Sequence, residues 1–429
     1  MVKLMKYNVL VFPCGSEIGL EIYRSLKYSN HFNIIGGSTV SDHGKYVYED
    51  YLEGIPNVDN PDFINQINKI AKERKVDFII PAHDSVVLLM AQNEENGNLV
   101  AKVLTSPYST CKIARSKYKT YIKLKNIVEI PKIYDNLDII YDDDFPLFLK
   151  PDVGQGSKGT QKVNTKAEIS FYKSKDPTLL ALEYLPGPEY TVDCFTDKSG
   201  RLRYVSSRVR ARTSNGISVN SKFVEDDRFI KFANTINDNL SFRGVWFFQV
   251  KERANGQLVL MEIAPRIAGT MALDRCRGVN LVLLSLYDAL DIDVSIEPAQ
   301  YEITIDRALE NRYKHNIKYK HVYIDYDDLI IYKSKINTEI LRFLIQCINN
   351  DVKIHLLTRH SGDIYDKLKQ KKIFDIFDTI VQIKDNTPKS KFITEKKSIF
   401  IDDSFAEREE VNHNCNIPVF DAHMVEALL

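Results

Sequence analysis

The sequence predicts a multidomain protein in which two α/β parts flank a central α+β part. Its 429 residues exceed one compact domain, since a domain averages about 150 residues. Residues 1–105 and residues 321–429 alternate short apolar strands with helical segments, a rhythm typical of parallel sheets. Between them, many short strands are separated by Gly, Asn and Asp turns. We therefore predict domains at 1–105, 106–310 and 318–429.

The first part begins with an apolar strand at residues 8–12, a turn containing Gly15 and Gly19, and an amphipathic helix through Leu26. A helix around residues 61–74 leads into a further strand at 76–81. This order predicts a parallel sheet with right-handed crossovers. The glycines are only a weak indication of nucleotide binding, because any tight strand-to-helix turn favours glycine.

Composition excludes several classes of protein. The 58 basic residues balance the 58 acidic ones, which argues against broad electrostatic binding of nucleic acid or membrane. No apolar run approaches the roughly 20 residues that a membrane span needs. Six scattered cysteines without a Cys-x-x-Cys pair predict free thiols in a reducing compartment. The first residues lack the features of a signal peptide, so we expect a cytoplasmic protein.

The most informative segment is residues 245–270, where two apolar strands flank Asn255-Gly256. Asn-Gly between such strands predicts a hairpin, which would bring Gln249 and Glu262 onto neighbouring strands. Two oxygen ligands suit a magnesium ion that carries a nucleotide's phosphates, and Arg266 follows directly. The alternative is a hairpin whose polar residues face water.

A glycine-rich loop lies upstream. An apolar strand at residues 145–150 ends in Lys150, and Gly154, Gly156 and Gly159 follow, with Ser157 among them. Such glycines let backbone N–H groups approach anionic oxygens, and a lysine adds a point charge for phosphates. The order of residues is not that of a Walker loop. The alternative is a flexible loop with a chance lysine.

The next strand runs into Glu183-Tyr184-Leu185, and Glu189 follows a Pro-Gly-Pro turn. A hinge of this kind suits backbone contacts to adenine and a carboxylate on the ribose hydroxyls. A solvated strand edge is the alternative for Glu189.

Downstream, Arg208, Arg210 and Arg212 alternate along one strand, so they should project from one face. Like charges on one face indicate an anion site, and an exposed strand face is the alternative.

In this order the segments resemble the ATP-grasp superfamily, most of all the single-chain ligases related to the carbamoyl-phosphate synthase large subunit. The resemblance covers about residues 1–300. It implies ATP and Mg²⁺ as cofactors, with Mn²⁺ possible, and the following residues as ligands: Lys117, Lys150, Gly156, Ser157, Arg208 and Arg210 on phosphates, Glu183, Tyr184 and Leu185 on adenine, Glu189 on ribose, Gln249 and Glu262 on magnesium, and Arg266 on the transferred phosphoryl group. The family usually has Asn two residues after the metal-binding Glu. Ala264 stands there, which puts a second magnesium in doubt.

The last part places polar side chains at successive strand ends. These are Asp325 and Asp327, then Thr358, then Lys389 before a helix, and finally Asp402 and Asp403. Strand ends of a parallel sheet meet at one edge, where such sheets bind ligands.

In order and type these residues resemble the haloacid-dehalogenase-like phosphatases across about residues 318–429. The resemblance implies Asp325 as nucleophile, Asp327 as acid/base, and Thr358 with Lys389 as phosphoryl ligands. The magnesium ligands would include Asp402 and Asp403 beside the first two aspartates. Lys391 is the alternative to Lys389. The short segment after Asp327 predicts an open site without a large cap.

We therefore predict a bifunctional enzyme. An ADP-forming ligase would join a carboxylate to an amine or similar nucleophile through an acyl phosphate, and a phosphomonoesterase domain would act through an aspartyl phosphate. The expected partners are small molecules, including a phosphorylated metabolite, with no nucleic acid or membrane, and a homodimer is a possible assembly. Two alternatives stay open: a small-molecule kinase, and a regulatory nucleotide-binding module with a decayed site, which Ala264 favours.

Overall fold

A computed structural model describes residues 6–154, 156–214 and 216–429. The chain divides into two compact units, Met1–Leu309 and Glu310–Leu429, here called the front unit and the rear unit. In the described ranges, every helix is too short or too polar to cross a lipid bilayer. The predicted boundaries at residues 105, 310 and 318 stay predictions.

The front unit begins with a five-stranded parallel sheet of order β3-β2-β1-β4-β5. Its elements are β1 (Tyr7–Phe12), α1 (Glu17–Leu26), β2 (Phe32–Ser38), β3 (Asp50–Glu53), α2 (Phe63–Glu73), β4 (Val76–Pro81), α3 (Asp84–Glu95) and β5 (Lys102–Val103). Val9 and Val11 of β1 pack in one apolar cluster, and Leu10 and Phe12 pack in another. Both faces of the sheet are therefore covered, which explains why the strand is continuously apolar.

The rest of the front unit mixes helices with antiparallel strands. Its elements are α4 (Tyr108–Ala114), α5 (Lys117–Leu124), β6 (Leu147–Pro151), β7 (Gln161–Val163), α6 (Lys166–Lys175), β8 (Leu179–Glu183), β9 (Glu189–Thr196), β10 (Leu202–Ser214), β11 (Ile217–Val224), α7 (Asp227–Asn239), β12 (Gly244–Glu252), β13 (Leu258–Ala264), α8 (Ala272–Cys276), α9 (Leu281–Ala289) and β14 (Thr304–Asp306).

These strands form two sheets. A six-stranded antiparallel sheet has the order β13-β12-β9-β10-β11-β14, and a three-stranded one has the order β7-β6-β8. Trp246, the single tryptophan of the chain, is fully buried under the larger sheet and stacks on Phe242 at 3.9 Å. Its indole Nε1–H donates to Thr196 Oγ1 at 2.9 Å, so the ring's polar atom is satisfied.

The rear unit is an α/β structure around a five-stranded parallel sheet of order β19-β18-β15-β20-β21. Its elements are β15 (His321–Ile324), β16 (Ile331–Tyr332), β17 (Lys335–Ile336), α10 (Thr338–Asn349), β18 (Lys353–Thr358), α11 (Ile364–Gln370), β19 (Thr379–Gln382), β20 (Ser398–Ile401), α12 (Phe405–Cys415) and β21 (Val419–Phe420). The segment between β15 and α10 holds only the small β16–β17 hairpin.

Candidate functional site

The nucleotide cleft lies between the three-stranded sheet and the six-stranded sheet of the front unit. Its cavity volume is about 120 Å³. Its lining includes most of the predicted nucleotide ligands, namely Lys117, Lys150, Gly156, Ser157, Glu183, Tyr184, Leu185, Glu189, Arg210, Gln249 and Glu262. Residues from widely separated segments of the sequence therefore meet in one concave site.

Two lysines place ammonium groups in this cleft. Lys150 lies near the end of β6, and its Nζ is 4.0 Å from Glu262 Oε2. The pKa of Lys150 is lowered to about 8, mainly by burial. The charge of Lys117 contributes to the lowering, and the charge of Glu262 opposes it. Lys117 is buried at the start of α5, where its Nζ donates to the carbonyl of Asp152 at 3.3 Å. Buried like charges of this kind are stabilised by an anion.

The glycine-rich loop closes one side of the cleft. Gly156 and Ser157 both have a positive φ, of 62° and 53°. A Cβ on Gly216 would lie 2.2 Å from the carbonyl carbon of Gly156, so the loop and this glycine pack backbone to backbone. Only glycine permits that approach. Residue 155, inside the loop, is outside the described residues.

The end of β8 supplies the predicted adenine wall. The Glu183 carboxylate accepts from Arg253 Nε at 2.7 Å and from the backbone N–H of Lys132 at 3.2 Å. Its side chain is thus occupied, and adenine contacts by this segment would have to come from the backbone, as predicted. Leu185 is buried and lines the cleft, and the Lys162 ammonium lies 4.4 Å from the Tyr184 ring centroid.

The predicted hairpin is present. Gln249 of β12 lies directly opposite Glu262 of β13, and Gly256 in the turn has a φ of 81°. Ala264, which ends β13, offers no oxygen ligand from its side chain. The pair can hold one magnesium ion whose other ligands are nucleotide phosphates and water, because Mg²⁺ is usually bound through one or two carboxylates plus phosphate.

The expectation that the three arginines of β10 share one face is wrong for Arg212. A bulge separates it from Arg210, and it forms an exposed ion pair with Asp306 at 2.8 Å. Arg208 is buried, pairs with Asp193, and donates to Thr270 Oγ1 at 2.8 Å. A bulge reverses the alternation of side chains, and no residue of this strand indicated it in advance.

Arg210 lies between Glu189, which is predicted to bind ribose, and Gln249, which is predicted to bind the metal. It pairs with Glu189 and donates to Gln249 Oε1 at 3.3 Å and to the carbonyl of Gly216 at 2.6 Å. Its charge is therefore shared with the carboxylate predicted to bind ribose.

A second cleft, here called the adjoining cleft, continues from the nucleotide cleft toward the N-terminal sheet. Its charged lining beyond the shared residues consists of Glu17, Asp84, Arg115, Arg208, Arg266 and Arg307. Arg266 binds the Asp84 carboxylate through Nε at 2.6 Å and Nη2 at 2.9 Å. Sequence analysis did not select Asp84, although its place at the end of β4 and the start of α3 is the edge where parallel sheets bind ligands.

The predicted strand-end residues of the rear unit meet at one edge of its sheet. Lys389 is buried, with its Nζ 3.1 Å from Asp325 Oδ1 and 2.6 Å from Asp402 Oδ2. Lys391 is exposed, so Lys389 is the lysine at this site. Thr358 is fully buried at the end of β18 and accepts from the backbone N–H of His360 at 3.1 Å.

Carboxylates crowd around that lysine. Oxygen atoms of Asp325, Asp402 and Asp403 lie within 4.8 Å of one another, a spacing that fits a hard cation. Burial raises the pKa of Asp402 to about 6, and the charge of Asp325 adds to this while Lys389 opposes it. Burial likewise raises the pKa of Asp325.

Asp327 is not part of this cluster. Its carboxylate faces His360 Nδ1 at 2.9 Å, which makes His360 a site residue that sequence analysis missed. The position of His360, two residues after Thr358 at the end of β18, could have indicated that it belongs to this site.

The comparisons with known proteins concern the front unit. Residues 175–310 match a family model described as ATP-grasp in the biosynthetic pathway with Ter operon. The carbamoyl phosphate synthase large chain of Thermoanaerobacter pseudethanolicus is 26% identical over 215 residues, which is 44% of this chain and 20% of that protein. The chain thus matches about a fifth of the length of this curated relative.

Solved structures agree on the fold. The biotin carboxylase domain of Hydrogenobacter thermophilus 2-oxoglutarate carboxylase, solved with MgADP, has a TM-score of 0.56 at 15% identity and covers 68% of this chain and 72% of its own. N5-carboxyaminoimidazole synthetase of Staphylococcus aureus with ADP gives 0.55 at 14%, covering 71% and 84%. The L-amino acid ligase of Bacillus licheniformis gives 0.53 at 15%, covering 67% and 75%.

The predicted cofactors agree with these relatives, two of which were solved with ADP and one of those with magnesium. None of these matches is to a haloacid-dehalogenase-like protein, so that part of the interpretation stays a proposal. The front unit of this chain has the ATP-grasp fold, which it shares with these ligases and carboxylases.

Proposed function

We propose that the front unit is an ATP- and Mg²⁺-dependent ligase that activates a carboxylate as an acyl phosphate. The observation that carries this proposal is the convergence of Lys117, Lys150 and the Gln249–Glu262 pair in one cleft. The two lysines would neutralise the triphosphate, and Gln249 with Glu262 would hold the metal. A bound magnesium ion would supply positive charge that stabilises the negative charge developing on the phosphates.

The chemistry would follow from positioning. An oxygen of the substrate carboxylate attacks the terminal phosphorus of ATP, the bond to the bridging oxygen breaks, and ADP leaves. An amine then attacks the acyl carbon, inorganic phosphate leaves with the bonding electrons, and the amine loses a proton. Lys150 and Lys117 would act on the phosphates, because fixed cations in a water-poor cleft stabilise developing charge without reorganising. The adjoining cleft offers space for the acid beside the terminal phosphate.

ADP release tests this function. Pairs of carboxylic acids and amines are incubated with ATP and Mg²⁺, and release that requires both partners supports a ligase. Release with the acid or another acceptor alone, with a stable phosphorylated product, indicates the kinase alternative. Tight ATP binding without turnover on any pair indicates the regulatory module. Lys150→Gln should abolish the release, and exposed Lys123→Gln serves as the matched control.

We propose as a second activity that the rear unit hydrolyses phosphomonoesters through an aspartyl phosphate. The supporting observation is the cluster of Asp325, Lys389 and Asp402 at one sheet edge, with Asp403 beside it. These carboxylates suit a magnesium ion, which would neutralise the phosphoryl oxygens during attack. The small β16–β17 hairpin leaves the site without a large cap of its own.

In this reaction an oxygen of Asp325 attacks phosphorus and the ester bond breaks. Asp327, oriented by His360, gives its proton to the leaving oxygen. Water then attacks the aspartyl phosphate, gives a proton to Asp327, and releases inorganic phosphate and free Asp325. Lys389 would balance charge next to the nucleophile.

Hydrolysis of p-nitrophenyl phosphate with Mg²⁺ tests the second activity. Asp325→Asn should reduce the rate by at least about 10³-fold, because an amide is a poor nucleophile. Asp351→Asn is the matched control, since Asp351 is exposed and has a φ of 55° that asparagine also adopts. Hydrolysis that persists in Asp325→Asn would remove Asp325 as the nucleophile.

A further inference from the structure

The adjoining cleft has a distinctive balance of charge. Most of its arginines have carboxylate partners in the part of the chain that the structure describes. The pairs are Arg208 with Asp193, Arg210 with Glu189, Arg266 with Asp84, and Arg307 with Glu17. These arginines are largely compensated before any substrate binds.

Arg115 differs from them. It follows α4, is partly buried, and donates through Nη2 to the Ser85 hydroxyl at 3.2 Å. Within residues 6–154, 156–214 and 216–429 it forms no ion pair with a carboxylate of its own. The nearest compensation is the charge of Asp84, which Arg266 already binds in a bidentate manner.

The surroundings support an excess of positive charge. Burial raises the pKa of the Asp84 carboxyl, but Arg266 and Arg115 outweigh this effect and the pKa lies below its ordinary value. Burial lowers the pKa of His83, which favours the neutral ring near physiological pH. One carboxylate therefore faces two guanidinium groups, and a partly desolvated cation without a partner is unfavourable.

Arg115 and Arg266 also line the same cleft. They contact Ser85 and Asp84, which are consecutive residues in the first turn of α3. A ligand with two anionic groups a few bonds apart could therefore reach both guanidinium groups from the cleft.

We propose that the acid substrate carries a second anionic group, and that Arg115 binds it while the reacting carboxylate lies toward Arg266 and Glu262. The substrate class is thus a short acid whose second anion is a carboxylate or a phosphorus oxyanion. This inference rests on the ligase function proposed above. It adds Arg115 as the residue that determines specificity for a dianion.

Binding measured without turnover tests the proposal. The whole protein is saturated with Mg²⁺ and a non-hydrolysable ATP analogue, and acids of equal carbon number are titrated by calorimetry. The pairs are malonate with propanoate, succinate with butyrate, and glutarate with pentanoate, and phosphonoacetate is compared with malonate to distinguish the two kinds of anion. At least one dianion should bind about tenfold more tightly than its partner, because a charge-assisted hydrogen bond contributes at least this much.

Variants assign the preference to Arg115. Arg115→Gln should reduce the affinity for the preferred dianion about tenfold and leave the monoacid within about twofold. Arg115→Lys should restore part of the loss, and Arg212→Gln, an exposed arginine outside the cleft, should change nothing. Unchanged thermal unfolding of the variants without ligand would show that they fold.

Two results would overturn the inference: no dianion preferred by the native protein, or a preference that survives in Arg115→Gln. The ligase proposal is decided separately by ADP release. A preference for dianions without ADP release would support the inference about Arg115 and contradict the ligase.

Discussion

The protein should take up a proton at Lys150 when it binds a nucleotide. The lysine has a pKa of about 8 in the folded protein because it is buried in the nucleotide cleft, whereas a free lysine has a pKa near 10.5. Phosphate oxygens beside the ammonium group would favour its charged form and raise the pKa again. At pH values around 8 the bound protein should therefore hold more protons than the free protein.

The size of the effect follows from this pKa. With a value of about 8, roughly a tenth of Lys150 is neutral at pH 7, half at pH 8, and nine tenths at pH 9. Binding at pH 9 should take up about 0.9 proton, and the apparent Kd for MgADP should be about tenfold higher than at pH 7. The front unit itself should gain stability as the pH rises above about 8, because its unfolded chain holds this proton more tightly than its folded state.

Calorimetry in two buffers with different ionisation enthalpies measures the uptake directly. MgADP is titrated into the whole protein above about pH 8, where a terminal phosphate has already lost its second proton. Lys150→Gln should abolish most of the uptake, and Lys123→Gln should not change it. An equal uptake in Lys150→Gln, or none in the native protein at pH 9, would contradict the assignment of Lys150 to the phosphates.

Three further predictions concern other parts of the molecule. Glu262→Gln should weaken nucleotide binding in the presence of Mg²⁺ by about tenfold or more and change binding without Mg²⁺ little. An equal loss of affinity with and without Mg²⁺ would contradict the assignment of Glu262 as a metal ligand. Thr196→Val should lower the free energy of unfolding of the front unit by about 1–3 kcal/mol, because it leaves the Trp246 indole N–H buried without an acceptor. Unfolding followed by the fluorescence of this single tryptophan measures the decrease. Mg²⁺ affinity of the rear unit should fall up to tenfold per pH unit below about pH 6, where Asp402 takes up a proton, and a flat profile from pH 5 to 7 would contradict this assignment.

The sequence predicted those site residues whose placement depends on short-range geometry. Asn255-Gly256 predicts a hairpin, so the placement of Gln249 and Glu262 on neighbouring strands could be predicted, whereas their direct opposition depends on a register shift between Gln249 and Val250 that the turn does not indicate. In the rear unit, Asp325 and Asp402 follow neighbouring parallel strands, which end at the same edge of the sheet.

Features that depend on local backbone irregularity could not be predicted in this way. The helical segment that ends at Leu124 is divided in two, because the chain breaks between α4 and α5. Ser116 caps α5 by accepting from the backbone N–H of Lys119, and its hydroxyl donates to Asp152 from a distant loop. A side chain favoured at helix N-termini was present, but the contact that fixes the break is tertiary.

Pairing between distant segments was the other limit. The family resemblance implied that Arg266 binds the phosphoryl group, and in the structure Arg266 binds Asp84, 182 positions away. The two roles are compatible, because a guanidinium group has five N–H donors and one carboxylate uses two of them. Asp84 would then orient Arg266 before the substrate binds.

In the proposed ligase, the absence of a side-chain oxygen at Ala264 would leave Gln249 and Glu262 as the side chains that hold magnesium. Arg210 and Glu189 neutralise each other, which leaves Lys117, Lys150 and one magnesium ion against the phosphates, with Glu262 as a ligand of that ion. The two lysines and one Mg²⁺ carry about four positive charges and Glu262 cancels one of them, so about three positive charges face the roughly four negative charges of a fully ionised triphosphate. The two lysines with one magnesium ion would therefore compensate most of this charge, and we expect the nucleotide to bind in this cleft with a single metal ion.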